Sequence, residues 1–275
     1  MTSSKILTLV PLIGLISLFS LSFISKDKSQ AASYNGNNSK GFAVVELFTS
    51  EGCSSCPPAD DLAAKIQKEN IDMPVYILAY HVDYWNRLGW KDRFSNAAFS
   101  QRQRRYADWL NLSSVYTPQA VVNGSKEFVG SEEGTLRNAI KRSLQKTSDA
   151  QLTLKVVKSE QRKVTVQYHT EGETTNTSLL LALVQKSAVS KVQRGENSGR
   201  TLFHVQIVRN LKTINLAGIG NGSATVDLPE GEDKKDVEEV IAFLQKNDNG
   251  EIVAAGKSVL EAEMPMSKEI GPPTK

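Results

Sequence analysis

The sequence has few cysteines and histidines, with two Cys and three His among 275 residues. Two cysteines exclude a framework of several disulfides, and no second cysteine pair is present to complete a structural zinc site. The sequence also lacks an excess of charge of one sign, since 33 basic and 30 acidic residues leave a formal charge of +3. Because the basic residues are scattered among acidic ones, we expect no phosphate-binding surface and no nucleic-acid partner.

The first 31 residues have the composition of a targeting segment. Lys5 precedes an almost uncharged apolar run over residues 6–24, and Ser29–Ala31 offers a small-x-small cleavage site. This pattern predicts an exported protein, either periplasmic or secreted. The apolar run is also nearly long enough to span a bilayer, so an uncleaved N-terminal membrane anchor is the alternative to a signal peptide. Residues 32–40 are small and polar and are predicted to form a linker.

Residues 41–147 follow a pattern of alternating strands and helices. The apolar runs Ala43–Thr49 and Val75–His81 predict two buried strands, with a helix that begins near Pro57 between them. The Asn123-Gly124 pair predicts a hairpin turn between two later strands. Further helices are predicted at 95–110 and 132–146, and further strands at 120–123 and 127–129. The order of these elements predicts an α/β domain.

Residues 148–262 have a different pattern, in which short apolar runs are separated by Gly, Asn, Asp and Ser. The clearest of these separating clusters is Asn247–Gly250. The pattern predicts a second, smaller domain of antiparallel β-sandwich type. Residues 263–275 are predicted to form a flexible tail. Strands are predicted at 151–157, 163–168, 178–185, 201–208, 223–228, 237–244 and 252–259.

The two cysteines are spaced Cys53-x-x-Cys56 immediately before the first predicted helix. As a structural crosslink, a loop of about four residues would contribute only roughly 2 kcal/mol, which is little for a chain of this size. Pro57 suits an early helical position, so Cys53 lies at or just before the helix N-terminus, where free N–H groups stabilise a thiolate. We therefore expect an exposed redox pair in which Cys53 attacks and Cys56 resolves the mixed disulfide.

Four stretches of the sequence resemble the exported thioredoxin-like family known as domain of unknown function 1223. The stretches are ELFTSEGCSSCPPAD, HVDYWNRLGWKDRFS, YTPQAVVNG and GENSGRTLFHVQIVR. The resemblance to the thioredoxin superfamily implies a thioredoxin-like fold for residues 41–147, with Pro118 in the cis form and Thr117 facing the cysteines. It implies thiol–disulfide exchange with protein or small-molecule thiols and disulfides, and no cofactor. The dipeptide Ser54-Ser55 differs from that of well-studied members, so their redox potentials do not transfer.

Other residues near the cysteines are candidates for supporting roles. Glu46, His81 and Asp83 are candidates for a proton relay at the thiols, and ordinary structural positions are the alternative. Aromatic residues after the second strand are candidates for a substrate groove, with packing against the core as the alternative. We assign no chemical role to the strand that carries His204, and we interpret Arg102 as part of a solvated helical face. The groove candidates are Tyr84, Trp85 and Trp90.

Two other functions remain open at the level of the sequence. A copper-binding protein or metallochaperone would use Cys53, Cys56 and His81, because two thiolates and an imidazole can hold a soft ion. A non-catalytic adaptor would keep the thioredoxin-like fold without turnover, since a fold alone does not establish an activity.

Overall fold

The computed structural model describes residues 41–160, 162–172, 174–218, 220–230 and 236–260. The segments expected to form a signal peptide or anchor (1–31), a linker (32–40) and a flexible tail (263–275) lie outside the described residues. Within the described ranges, no helix is long and apolar enough to cross a membrane.

The elements predicted from the sequence are present, and most of their ends agree within a few residues. The largest differences are in β7 and β8, which are 15 residues long each and continue well beyond their predicted ends. The helices are α1 (Pro57–Glu69), α2 (Ala97–Leu110) and α3 (Glu133–Gln145), with a short 3-10 helix at Asn86–Leu88. The strands are β1 (Ala43–Thr49), β2 (Val75–His81), β3 (Gln119–Val122), β4 (Lys126–Val129), β5 (Gln151–Glu160), β6 (Lys163–Glu171), β7 (Thr177–Lys191), β8 (Thr201–Asn215), β9 (Asn221–Asp227), β10 (Glu239–Lys246) and β11 (Ile252–Val259).

A central sheet of eight strands has the order β11-β10-β7-β8-β2-β1-β3-β4. Strand β2 is parallel to β1 and to β8, and the other neighbours are antiparallel. All residues of β1 and β2 are buried, as expected for strands covered on both faces. Alternation along β1 turns Val44 and Phe48 towards α2, whereas Val45 and Leu47 pack with α1 and α3.

The strands β5, β6 and β9 form a separate antiparallel sheet. Their apolar residues pack against β7, β10 and β11 in one hydrophobic cluster, which includes Val164 and Val166 from β6 and Leu181 from β7. The protein is therefore mixed α/β, with a large mixed sheet and a smaller antiparallel sheet. Because β7, β8, β10 and β11 belong to the same sheet as β1–β4, the expected division into two domains near residue 147 is not confirmed.

Candidate active site

Cys53 and Cys56 form a disulfide in the turn between β1 and α1, with their Cα atoms 5.4 Å apart. The backbone N–H of Cys53 donates to the Ser50 carbonyl, and that of Cys56 donates to the Cys53 carbonyl. Cys56 is the N-cap of α1, and Pro57 follows at the first helical position, where the helix needs no N–H donor. The pair therefore lies at the helix start, as the sequence predicts.

The disulfide is buried, so the expectation of an exposed pair is wrong. Both cysteines have an exposed fraction of 0%, whereas Ser54 and Ser55 between them are exposed. The start of α1 follows from local sequence signals, but the burial of the pair does not. Residues 192–200, which lie far along the chain and were not predicted to reach this turn, bond to it.

Residues 192–200, which we call the cover segment, connect β7 to β8 and lie against the cysteine turn. The side-chain amide of Asn197 donates to the carbonyl oxygens of Glu51 and Cys53, both at 2.9 Å. Arg200 Nη1 donates to Asn197 Oδ1 at 2.8 Å and so orients the amide. Asn197 is fully buried. The cover segment is therefore fastened to the backbone on both sides of Gly52.

A second attachment of the cover segment is exposed to solvent. The Glu196 carboxylate accepts hydrogen bonds from the Ser54 backbone N–H at 3.0 Å and from Ser54 Oγ at 2.7 Å. These bonds, first the one from the Ser54 hydroxyl, lower the pKa of Glu196. Glu196 therefore holds Ser54, one of the two residues between the cysteines.

The Thr117–Pro118 peptide bond is cis and lies beside the disulfide. The Thr117 carbonyl oxygen is 3.8 Å from Cys53 Sγ, and it is 3.5 Å from Ser55 Oγ, which donates to it. Trp85 Nε1 donates to Thr117 Oγ1 at 2.8 Å. The structure thus brings together Cys53, Thr117 and Trp85, which come from three separate parts of the sequence.

The other two aromatic candidates for a groove differ in position. Trp90 Nε1 donates to Glu51 Oε2 at 2.6 Å, so Trp90 lies against the cysteine turn as Trp85 does. Tyr84 instead donates from its hydroxyl to Gln103 Oε1 in α2 at 3.1 Å. Two of the three candidates therefore contact residues next to the disulfide.

His81 and Asp83 do not share partners, so the structure does not join them in one relay. Asp83 accepts from Ser100 Oγ at 2.5 Å, whereas His81 is buried and bonds Asp92 Oδ2 through Nδ1 at 2.6 Å. Burial lowers the pKa of His81, but the attraction of Asp92, Asp60 and Glu51 outweighs it, and the pKa is raised. Burial raises the pKa of Asp92, but the charge and the hydrogen bond of His81 lower it, and the pKa is lowered overall.

His204, for which we predicted no chemical role, lies between two carboxylates next to His81. Its Nδ1 is 3.4 Å from Asp60 Oδ2 and its Nε2 is 3.6 Å from Glu51 Oε1, and the rings of His204 and His81 have centroids 4.9 Å apart. These side chains are buried. The sequence alternates apolar and polar residues over Phe203–Ile207, so it offered no signal that His204 is in a buried cluster. We call Glu51, Asp60, His81, Asp92 and His204 the acid–histidine cluster.

Glu46, another candidate for the proton relay, faces away from this cluster. Alternation along β1 places Glu46 on the α2 side, where Arg102 bonds both carboxylate oxygens at 2.5 and 2.8 Å and the Tyr106 hydroxyl donates to Oε1. The structure therefore does not support a relay role for Glu46 at the thiols. Arg102 is not on a solvated face as expected, because its side chain is only 8% exposed.

Among the described residues, no group of three or more His, Cys, Asp or Glu side chains is arranged to hold a metal ion. Both cysteine sulfurs are in the disulfide, and Nδ1 of His81 is bonded to Asp92. The structure therefore does not bring Cys53, Cys56 and His81 together as a copper site.

Comparisons with known proteins match most of the chain. A family model described as "Protein of unknown function (DUF1223)" matches residues 44–245. The crystal structure of protein AGR_C_4864 from Agrobacterium tumefaciens is similar, with 29% identity and a TM-score of 0.58 over 82% of this chain and 96% of that chain. A GH3 beta-glucosidase from Bifidobacterium adolescentis aligns over 44% of this chain and 19% of its own, at 12% identity. Its TM-score of 0.19 is too low to indicate a shared fold. No curated protein matches the chain significantly.

Proposed function

The chain belongs to the DUF1223 family of proteins of unknown function, and we propose that it is a thioredoxin-like protein that exchanges disulfides through Cys53 and Cys56. The observation that carries the proposal is the backbone of Thr117 beside a disulfide at a helix start. The Thr117 carbonyl lies 3.8 Å from Cys53 Sγ. A backbone in this position can bind an extended peptide next to the sulfur that reacts.

The two sulfurs have different surroundings, which supports different roles. Cys53 lies beside Thr117 and Ser55, on the side that carries exposed residues, whereas Cys56 is the N-cap of α1. A partner thiolate attacks Cys53 Sγ, the bond to Cys56 breaks, and Cys56 leaves with the electron pair. In the reverse direction, Cys56 attacks the mixed disulfide and releases the partner. The N-terminus of α1 favours the negative charge that forms on sulfur.

Because the disulfide is buried, exchange requires local opening of the cover segment. Its contacts with the cysteine turn include bonds from Asn197 and Glu196, and the latter is exposed to solvent. Segments held by a few polar bonds open at a lower free energy than the core strands beneath them. We therefore propose that the partner reaches Cys53 after the cover segment moves away from Ser54.

We further propose that the protein works outside the cytosol, as a periplasmic or secreted protein. The apolar run at residues 6–24 and the small residues at 29–31 support export, and an uncleaved run would leave the protein anchored in the membrane. An oxidising compartment also suits a pair of cysteines that forms a disulfide. Its substrates are protein or small-molecule thiols and disulfides.

A trapping experiment tests the exchange reaction. The Cys56→Ser variant keeps Cys53 but lacks the resolving thiol, so we expect it to accumulate mixed disulfides with partners in the exporting cell and with oxidised glutathione in vitro. The matched control, Cys53→Ser, keeps only the Cys56 thiol at the N-cap of α1, away from Thr117, and should trap little. Mass spectrometry after alkylation identifies the adducts. If Cys56→Ser forms no adduct with either source, the disulfide is a structural crosslink and the proposal is wrong.

A further inference from the structure

The acid–histidine cluster places several ionisable groups in a buried site beside the cysteine turn. Removing a carboxylate from water costs several kcal/mol unless an opposite charge compensates it. The two imidazoles can supply that charge by taking up protons. Neutral groups also donate to the carboxylates: Thr49 Oγ1 to Asp60, Trp90 Nε1 to Glu51, and the backbone N–H groups of Glu51 and Phe94 to Asp92.

His204 lies at the centre of the cluster, but its ring makes no short hydrogen bond to the other members. Its two ring nitrogens face different carboxylates, at 3.4 Å from Asp60 and 3.6 Å from Glu51. Both distances exceed those of ordinary hydrogen bonds, and neither nitrogen has a hydrogen-bond partner among the described residues. An imidazole so placed can accept a proton at one nitrogen and release a proton from the other.

Asp60 connects this ring to the disulfide. It lies one helical turn after Cys56, and its backbone N–H donates to the Cys56 carbonyl at 3.2 Å. Side chains four residues apart lie on the same face of a helix, and both residues are buried. Thr49 holds Asp60 Oδ1 at 2.9 Å, which leaves Oδ2 towards His204. Asp60 is therefore the residue shared by His204, which faces its carboxylate, and Cys56, which lies one turn earlier in the chain.

On the far side of the ring, Glu51 connects the cluster to a partly exposed residue. Glu51 Oε1 faces His204 and has no hydrogen-bond partner among the described residues, whereas Oε2 accepts from Trp90, which is only half-buried. The Glu51 carbonyl is also held by Asn197 of the cover segment. Opening of the cover segment therefore releases one anchor of the cluster at the moment when a partner approaches.

Resting on the proposed function, we propose that His204 acts through Asp60 to supply a proton to the Cys56 sulfur when the disulfide opens. A thiolate of a dithiol reductant attacks Cys53 Sγ, and a new S–S bond forms while the Cys53–Cys56 bond breaks. The electron pair goes to Cys56 Sγ, and the proton that neutralises it passes from His204 to the Asp60 carboxylate and from there to the sulfur. The second thiol of the reductant then displaces Cys53 as a thiolate and closes the reductant's own disulfide.

The charged and titratable groups of the acid–histidine cluster come from several elements that pack together. Glu51 follows β1, Asp60 belongs to α1, His81 ends β2, and Asp92 precedes α2. The Phe94 ring also packs against His204, with its centroid 5.7 Å away. The guanidinium groups that lie over the Phe94 ring belong to Arg93 and Arg209.

The reduction of the disulfide by dithiothreitol, measured across pH, tests the proposal. Rates are divided by the concentration of dithiothreitol thiolate, so that the remaining pH dependence belongs to the protein. In the wild type we expect this corrected rate to fall as pH rises and the cluster loses its proton. In His204→Gln we expect a flat profile and, at the acid end, a rate lower by about a hundredfold, the lower part of the range for a positioned general acid.

Asp60→Asn provides a second variant with the same expected loss, in case His204→Gln does not fold, and circular dichroism checks the fold of each. His169→Gln is the matched control, because His169 is an exposed histidine in β6 bonded to Asn221 and Glu171. A pH profile in folded His204→Gln or Asp60→Asn that equals the wild-type profile overturns the relay alone. A wild-type disulfide that dithiothreitol does not reduce at any pH contradicts the proposed function, and the relay with it.

Discussion

Two buried charged clusters lie on opposite faces of the central sheet, and they differ in how completely they are bonded. In the first, which we call the Glu46 cluster, Glu46 is bonded by Arg102 and Tyr106, and Arg102 also donates to Gln245 at 3.2 Å. In the acid–histidine cluster, four polar atoms have no hydrogen-bond partner among the described residues, namely Glu51 Oε1, His81 Nε2 and both ring nitrogens of His204.

The two clusters also differ in the kind of charge they contain. Burial lowers the pKa of Arg102, but Glu46, Tyr106 and Tyr80 raise it by more, so the pKa is raised overall. The guanidinium therefore keeps its proton at every physiological pH. Histidines change charge near neutral pH. A fixed and fully bonded charge suits a structural role, whereas loosely bonded titratable groups suit the movement of a proton. The comparison therefore favours the α1 face of the sheet as the place of the proposed exchange.

The largest expected effect comes from breaking the Glu46 cluster. Arg102→Met removes the only guanidinium bonded to Glu46 among the described residues, and it leaves a buried carboxylate uncompensated. We expect the free energy of unfolding to fall by about 3–5 kcal/mol in urea titrations. Arg104→Met, at an exposed position of the same helix, is the matched control and should change it little. A loss below about 1 kcal/mol for Arg102→Met would show that the cluster is not structural.

A smaller effect is expected from His81, and it depends on pH. Because the pKa of His81 is raised in the folded state, its stabilisation is complete below about pH 6.5 and is lost as pH rises through the raised value. Asp92, whose pKa is lowered, contributes above its unfolded value and loses its contribution as pH falls through the folded one. The charged pair is therefore most favourable between these two limits.

His81→Gln should lower the free energy of unfolding at pH 6 by about 2 kcal/mol, the contribution of a charged hydrogen bond. It should also remove most of the decline in stability between neutral and mildly alkaline pH. Urea titrations at several pH values measure both effects, with His169→Gln as an exposed control. An unchanged decline in His81→Gln would mean that another group carries the pH dependence.

The next prediction concerns the cover segment, which lies over the cysteine turn beside the acid–histidine cluster. Asn197→Ala removes two hydrogen bonds to the carbonyls of Glu51 and Cys53. We expect dithiothreitol to reduce the disulfide roughly fivefold faster, which corresponds to about 1 kcal/mol of easier opening. Ser198→Ala is the control, because Ser198 Oγ donates to the Gln193 carbonyl within the same segment. Equal reduction rates in the two variants would show that the cover segment does not control access to Cys53.

The smallest effect is expected from Glu196→Gln. The substituted amide keeps one acceptor oxygen for Ser54 but loses the negative charge, and the site is exposed, so solvent screens the change. We expect faster reduction by dithiothreitol, with a smaller increase than in Asn197→Ala. An increase larger than that of Asn197→Ala would identify the Ser54 attachment, and not the buried amide, as the main hold on the cover segment.

The sequence predicted the features that depend on local signals. Pro57 marks the start of α1 and so places Cys53 and Cys56, and the apolar runs give the elements in their order. The partners of buried charges were not predictable in this way. Arg102 on a helix with neighbouring arginines gives no sign that it meets Glu46, which lies 56 positions away. A shift of one residue along β1 also decides which sheet face Glu46 occupies.

The sequence also did not predict that strands from before and after residue 147 join in one sheet. Alternating runs after residue 147 predict strands, but they do not show which sheet the strands enter. Strand β8 pairs with β2 at a single register position, Ile207 with Ala79, and this pairing brings His204 and the cover segment to the cysteines. The missing information was a long-range pairing, which turn residues and periodicity do not encode.

The position of β8 next to β2 has a consequence for the order in which the protein is made. The ribosome releases β1, the cysteine turn and β2 well before residues 177–215, so the edge of β2 has no neighbour on that side while the cysteine turn is uncovered. We expect the disulfide to form in this early, open chain. The arrival of the later hairpin then places Asn197 and His204 over a bond that is already complete.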